Sequence, residues 1–213
     1  SLIRIYFSKS DPKSVGFCRS SQSWRQISNS ASMLHSADVA YVGDLRDDKI
    51  HDSFNIHEDE ITDANERYTN IVTVKTTGPA GLGVVASRSF SPGDNVVSAK
   101  VLDGDYPNGA HSIQVDWDKH IFMDLPARVI NHSCDPNLVI QNNDAGAYDF
   151  IAVKEIKEGE ELFLDYETTE YEVNAFEVCM CGTERCRGSI GGFKKHGDEI
   201  KSLYGQHIAD YLK

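Results

Sequence analysis

At 213 residues and 23.7 kDa the chain is long enough for one domain with a sizeable core. Its 40% hydrophobic and 25% charged residues exclude a wholly disordered chain, and no apolar run approaches the roughly 18 residues of a membrane span. Lys+Arg 21 against Asp+Glu 33 gives a net charge of −12, so direct nucleic-acid binding is excluded as a primary role and a cationic partner fits better.

In chain order, residues 1–68 read as an N-terminal extension whose role the sequence does not state. Ser8 to Ser36 holds ten serines in 29 positions, and His51 to Arg67 is polar with no clear period, a texture of loops and short elements. Between Asp44 and Glu66 nine acids face only Arg46 and Lys49, which concentrates 7 of the 12 negative charges there. Such a stretch is either a solvated acidic segment or a dock for a basic tail.

From Ile71 the texture changes. Ile71–Val74 is short and β-branched, and Gly78 to Gly83 (Gly-Pro-Ala-Gly-Leu-Gly) forces a tight turn. Strands are then expected at Val84–Phe90, Val96–Val97, Ile113–Asp116, Ile121–Met123, Tyr148–Val153 and Leu162–Leu164, with turns at Ser91–Asp94 and Glu158–Gly159. Close spacing and few helical patterns predict a mainly β fold of small sheets over 69–168. Leu203, Ile208 and Leu212 suggest a C-terminal helix over Lys201–Leu212, inside a last segment 169–213.

Five cysteines stand at 18, 134, 179, 181 and 186, the last three as Cys179-x-Cys181-x4-Cys186. Three thiols this close are too crowded for simple pairing, and the odd total argues against a disulfide framework. Soft thiolates at this spacing suit tetrahedral zinc ahead of an iron–sulfur cluster. The fourth ligand comes from Cys18, Cys134 or a histidine.

Arg128-Val-Ile-Asn131-His132-Ser133-Cys134-Asp135-Pro136-Asn137, then Glu160-Glu161-Leu-Phe-Leu-Asp165-Tyr166, then the C-x-C-x4-C-R-G cluster, together with Gly81-Leu82-Gly83, make four motifs in order. This series resembles the SET-domain lysine methyltransferases with a post-SET zinc motif, over roughly residues 70 to 195. The resemblance implies a SET-domain fold of small β-sheets with short helices and a knot-like threaded core. There the Asn131–Asn137 and Leu162–Tyr166 segments pass each other, an exception to the rule against threading. It also implies that Cys134 joins Cys179, Cys181 and Cys186 on zinc, which leaves Cys18 an ordinary thiol.

The implied cofactor is S-adenosylmethionine, a sulfonium whose methyl must lie in line with an attacking lysine amine. Gly81, Leu82 and Gly83 would let backbone approach it closely. Asn131 and His132 would hold its adenosine end, and Arg128 is either a further cofactor residue or a core ion-pair partner. Tyr166 corresponds to the family's catalytic tyrosine, which orients the amine and favours its neutral form. Leu164 stands where the family has Phe or Tyr, so the substrate channel is expected to be roomier or repacked. His111, in place of a strand tyrosine, and Phe193, in the post-SET tail, are the other expected channel residues, with Phe176 an alternative to Phe193.

The family's Gly-Asn before the Asn-His-Ser-Cys run is missing, as is its Glu-Tyr near Val101–Leu102, and both absences bear on peptide recognition. The expectation is a protein-lysine N-methyltransferase acting on a basic histone tail. A non-histone protein substrate, or an idle SET-like module that binds a partner, are the alternatives. Reduced thiolates imply an intracellular setting, and a nuclear one in a eukaryote.

Overall fold

Short strands dominate, as the turn spacing predicts. The computed structural model describes residues 56–78, 81–103, 111–173 and 178–213; most of the N-terminal extension, Cys18 and Phe176 lie outside the described residues. Strands β1 (Val72–Thr76) and β2 (Leu82–Ala86) form an antiparallel hairpin with Val74 opposite Val84. Three strands, β3 (Asn95–Ser98), β7 (Leu138–Asn142) and β8 (Tyr148–Ala152), make an antiparallel sheet with β8 in the centre. A second hairpin joins β4 (Ser112–Asp116) to β5 (Lys119–Phe122).

The remaining pair is the one that matters for the site. The two-residue strands β6 (Asn131–His132) and β9 (Phe163–Leu164) run parallel, Asn131 opposite Phe163 and His132 opposite Leu164. Ser133 N–H extends the pairing to the Leu164 carbonyl at 3.0 Å. Asn137 closes it: its amide donates to the Glu161 carbonyl and its oxygen accepts from Phe163 N–H, both at 2.8 Å. The two segments expected to pass each other therefore lie side by side, held largely by side chains standing in for a ladder.

Beneath these sheets one apolar core gathers Val84, Phe90, Leu138, Ile140, Tyr148, Phe150, Ile156 and Leu162, all essentially inaccessible. Tyr148 ties β8 to β4 by donating its hydroxyl to the Gln114 carbonyl at 2.7 Å. Strand β7 was not expected. Its Leu-Val-Ile run is buried on both faces and lacks the alternation that marks a half-exposed strand.

Helix α1 (Glu58–Arg67) was not expected either. Only Ala64 is fully buried, so no apolar stripe announces it. Local chemistry forms it instead: Glu60 accepts from His57 N–H at 3.2 Å, acids fill the first turn and Arg67 the last, in accord with the helix dipole. Asn65 then fastens it to β1 through both the N–H and the carbonyl of Val74, at 2.7 and 3.1 Å. Residues before 69 thus join the fold that the turn spacing begins there.

The C-terminal helix lies earlier than expected: α2 spans Phe193–Tyr204, and Asp210–Leu212 forms only a 3-10 turn. Gly205, at φ 57°, ends the helix before Ile208 and Leu212, which enter the core from irregular chain. Among the described residues no helix is long and apolar enough to cross a membrane.

Candidate active site and metal centre

Four thiols converge as the resemblance implies. The sulfurs of Cys134, Cys179, Cys181 and Cys186 all lie within 4.8 Å of one another, with Cys134 and Cys179 at 3.6 Å. Tetrahedral Zn–S bonds of roughly 2.3 Å put neighbouring sulfurs about 3.8 Å apart, so the donor set fits zinc. Cys134 and Cys179 are buried while Cys181 and Cys186 are half-buried.

The thiols also polarise one another. Cys134 is drawn well below the usual thiol range by the Cys179 S–H, against the opposing cost of burial and with help from His132 and the Arg187 N–H. Cys179 is pushed up by the same bond and by burial. Cys134 sits on the Asn-His-Ser-Cys segment and its partners on the loop past residue 178, so a metal here would clamp the last segment to β6.

Next to the thiols stands Tyr166, at the start of a 3-10 turn (Tyr166–Thr168) directly after β9. Its N–H donates to His132 Nδ1 at 3.2 Å and its hydroxyl to the Ile130 carbonyl at 2.9 Å. His132 Nε2 lies 3.5 Å from Cys134 Sγ. One imidazole thus spans from the Tyr166 backbone to the metal centre. Both ring nitrogens therefore have partners inside the protein.

Asn131 is equally engaged, donating to the Leu82 carbonyl at 3.1 Å and to Glu161 Oε1 at 2.8 Å. Glu161 also accepts from Thr77 Oγ1 at 2.9 Å. Gly83 makes room for this carboxylate, because a Cβ there would sit 2.5 Å from Glu161 Oε1 and 2.5 Å from Thr77 Oγ1. Gly81 differs. At φ 81° it adopts a backbone that side chains avoid, with no atom within 4 Å of where a Cβ would be. Of the glycine pair, then, Gly81 borders open space and Gly83 packs against Glu161.

Three expectations change in character. Arg128 is buried in the 3-10 turn Ala127–Val129, and its guanidinium pairs with Glu60 of α1. Of the two readings, the ion pair is the one this contact displays. Leu164 is 2% exposed and belongs to the apolar core, so the space left by the absent aromatic ring is repacked rather than open. His111 is a half-buried turn residue at φ 69° preceding β4, not part of the strand.

Phe193 begins α2 instead of trailing as a tail. Its N–H donates to the Glu170 carbonyl at 2.8 Å, and Lys201 lies 5.5 Å from its ring centre. Tyr166 stands nearby in sequence to the buried acids that hold this helix, Asp165 and Glu167. Glu167 accepts from Gly191 and Gly192 N–H, at 2.7 and 3.1 Å, and from His196 Nδ1 at 2.8 Å, which ties the start of α2 to the turn after β9. Sequence reading assigned no role to Glu161, Asp165, Glu167 or Arg187. Three of them lie within the motifs and Glu167 just after one, which was the available signal, but only long-range partners give them work.

Comparison with known proteins agrees on the segment. A SET domain family model matches residues 81–167. Histone-lysine N-methyltransferase Set2 of Drosophila melanogaster is 32% identical over 147 residues, covering 60% of this chain and 6% of its own length. The H3 lysine-9 specific histone-lysine N-methyltransferase KMT1 of Fusarium mangiferae is 36% identical over 91 residues, covering 36% of this chain and 26% of its own. This chain therefore spans a minor part of those relatives. Among solved structures, KRYPTONITE in complex with mCHH DNA, H3(1-15) peptide and SAH aligns over 56% of this chain and 29% of its own, with TM-score 0.44 and 22% identity.

Proposed function

We propose that this chain, which carries a SET domain over residues 81–167, is the catalytic segment of an S-adenosylmethionine-dependent protein-lysine N-methyltransferase acting on a histone tail. The observation that carries the reading is the parallel β6–β9 pair. It brings Asn131–His132 against the strand that leads into the Tyr166 turn, beside four converged thiols. The relatives' names, which specify histone lysine and in one case H3 lysine 9, support the substrate class.

When bound, S-adenosylmethionine supplies an electrophilic methyl on a sulfonium. Everything else falls to the chain. A lysine with a pKa near 10.4 costs on the order of 4–5 kcal/mol to deprotonate at pH 7. Tyr166 serves by position: its hydroxyl, anchored on the Ile130 carbonyl, aims the incoming amine. Burial of the amine would favour its neutral form. Gly81, with open space at its Cα, is where backbone would approach the cofactor, and Leu82 and Asn131 set the wall beside it. The four cysteines would hold zinc as a structural ion, with no open position needed for chemistry. A histone substrate puts the work in chromatin and therefore in the nucleus.

The test is transfer of labelled methyl from S-adenosylmethionine into core histones and into a crude cell extract, with Tyr166→Phe in parallel. Label on a histone band, reduced about a hundredfold or more by Tyr166→Phe, is the expected result. Label confined to non-histone bands would keep the enzyme and replace the substrate. No label at all, from zinc-loaded protein that fails to bind the cofactor, would leave a partner-binding module.

A further inference from the structure

Arg187 follows the last metal-site cysteine and its N–H points at Cys134 Sγ, 3.5 Å away. Its guanidinium turns back from the thiols into the protein. Nη1 donates to Asp165 Oδ2 at 2.8 Å, Nη2 to Asp165 Oδ1 at 2.6 Å, and Nη2 also pairs with Glu167 Oε2 at 3.1 Å. The side chain is 6% exposed and both carboxylates 0%. Burial by itself would strip the guanidinium of its proton more easily, but the bonds to Asp165 and the field of both acids more than offset this and raise its affinity for the proton. These two acids flank Tyr166.

Other groups complete the two carboxylates without replacing the arginine. Asp165 Oδ1 caps the turn by accepting from Glu167 N–H at 3.2 Å, and Asp165 Oδ2 accepts from Tyr204 at 3.0 Å. Glu167 takes Gly191, Gly192 and His196. Apart from Arg187 the cationic candidates here are His196 and His132, the latter 3.8 Å from Asp165 Oδ1. Two inaccessible carboxylates thus lean on one guanidinium, whose backbone is fixed by a loop that three of the four thiols organise.

We propose that Arg187 is a positioning residue that transmits occupancy of the four-thiol centre to Tyr166. With the thiol loop closed, the two-bond fork pins Asp165 and Glu167, and the turn between them holds the Tyr166 hydroxyl on the Ile130 carbonyl. With the loop open, the fork is withdrawn, two buried acids lose their counter-charge, and the 165–169 turn loosens. Metal binding and order at Tyr166 therefore favour each other reciprocally. The role assigned to Tyr166 rests on the methyltransferase reading, whereas the linkage itself does not.

Hydrogen exchange on the full chain tests it, zinc-loaded against chelator-stripped. Thr168, Thr169 and Glu170 N–H all bond within this turn. Stripping should speed their exchange about tenfold or more, while the β7–β8 amides of Ile140 and Phe150 keep their protection. Arg187→Lys, which keeps the charge and loses the fork, should loosen the same turn with zinc still bound. In methyl transfer it should lower kcat about tenfold while leaving KM for the protein substrate within about twofold.

A stripped chain whose 168–170 amides stay protected would overturn the proposal, as would zinc-loaded Arg187→Lys with a wild-type turn. If that variant fails to fold, the stripped wild type decides alone. If no methyl transfer is found in any form, the function falls, and exchange still decides the linkage.

Discussion

Two halves of this molecule are held by opposite means. The β3–β8–β7 sheet and the β1–β2 hairpin bury aliphatic and aromatic side chains, with the Tyr148 hydroxyl among them. The stretch from Asp165 to His196 instead buries Asp165, Glu167, Arg187 and thiols with little apolar area of its own, its small cluster being Cys134, Cys179 and Ile190. Apolar packing is local, non-directional and indifferent to metal. A charge-and-thiol assembly is directional and fails when one partner leaves. The lesson is that the first half can stand as scaffold while the second carries whatever must respond to its surroundings.

The sharpest break in that comparison is Cys179→Ser or exhaustive chelation. Structural zinc contributes on the order of 10 kcal/mol of binding free energy to the segment it organises. We expect loss of bound zinc, of methyl transfer and of protease resistance beyond residue 170, with the far-ultraviolet β signal largely kept. Collapse of the whole fold in one transition would show that the halves are not separable.

The converse change is Ile140→Ala, in a residue with no accessible surface. It should cost about 2–5 kcal/mol in urea unfolding by removing packed volume. Zinc affinity, measured by competition with a chromogenic chelator, should not move.

Smaller is Glu60→Ala. Arg128 then loses its carboxylate while staying buried, at a cost of about 1–3 kcal/mol. Thermal denaturation and cofactor titration separate two roles: a fall in stability with unchanged cofactor affinity marks Arg128 as the strut of α1. A weakened cofactor at full stability would return it to the binding site.

The smallest effect concerns alkali. Burial pushes the phenol groups of Tyr148, Tyr204 and Tyr211 up from the ordinary value, with nearby carboxylates such as Asp165 at Tyr204 adding to it. Because their folded values lie above the unfolded one, the stabilisation they give is complete below about pH 10 and is lost as pH rises beyond it. Tyr148→Phe and Tyr204→Phe should each flatten that limb of the stability curve, read by urea unfolding across the pH range. Tyr204→Phe should act on the charged half, by leaving Asp165 one donor short.

Legibility tracked the same division. The strands around Val74, Val97, Ile113, Ile121 and Phe150 were readable because β-branched runs between glycine and proline turns are local signals. The thiol cluster was readable because spacing is itself the message. Strand β7 went unread for want of alternation, and α1 for want of an apolar stripe. Helix α2 was displaced by most of its length because the carbonyls that receive its first N–H groups, those of Glu170 and Tyr171, stand 23 residues away in the chain.

By itself the sequence determined the mainly β class, the four motifs and a thiol cluster suited to a metal. Each is a property of residue type and short spacing, which survives any arrangement of the rest. Tertiary structure alone decided that Arg128 answers to Glu60, that Gly83 serves Glu161, that Leu164 fills its space, and that Arg187 joins the thiol loop to the acids beside Tyr166. Those are partnerships across 22 to 78 residues of chain. The physical reason is that a buried charge or a missing Cβ is defined only by what folding brings against it.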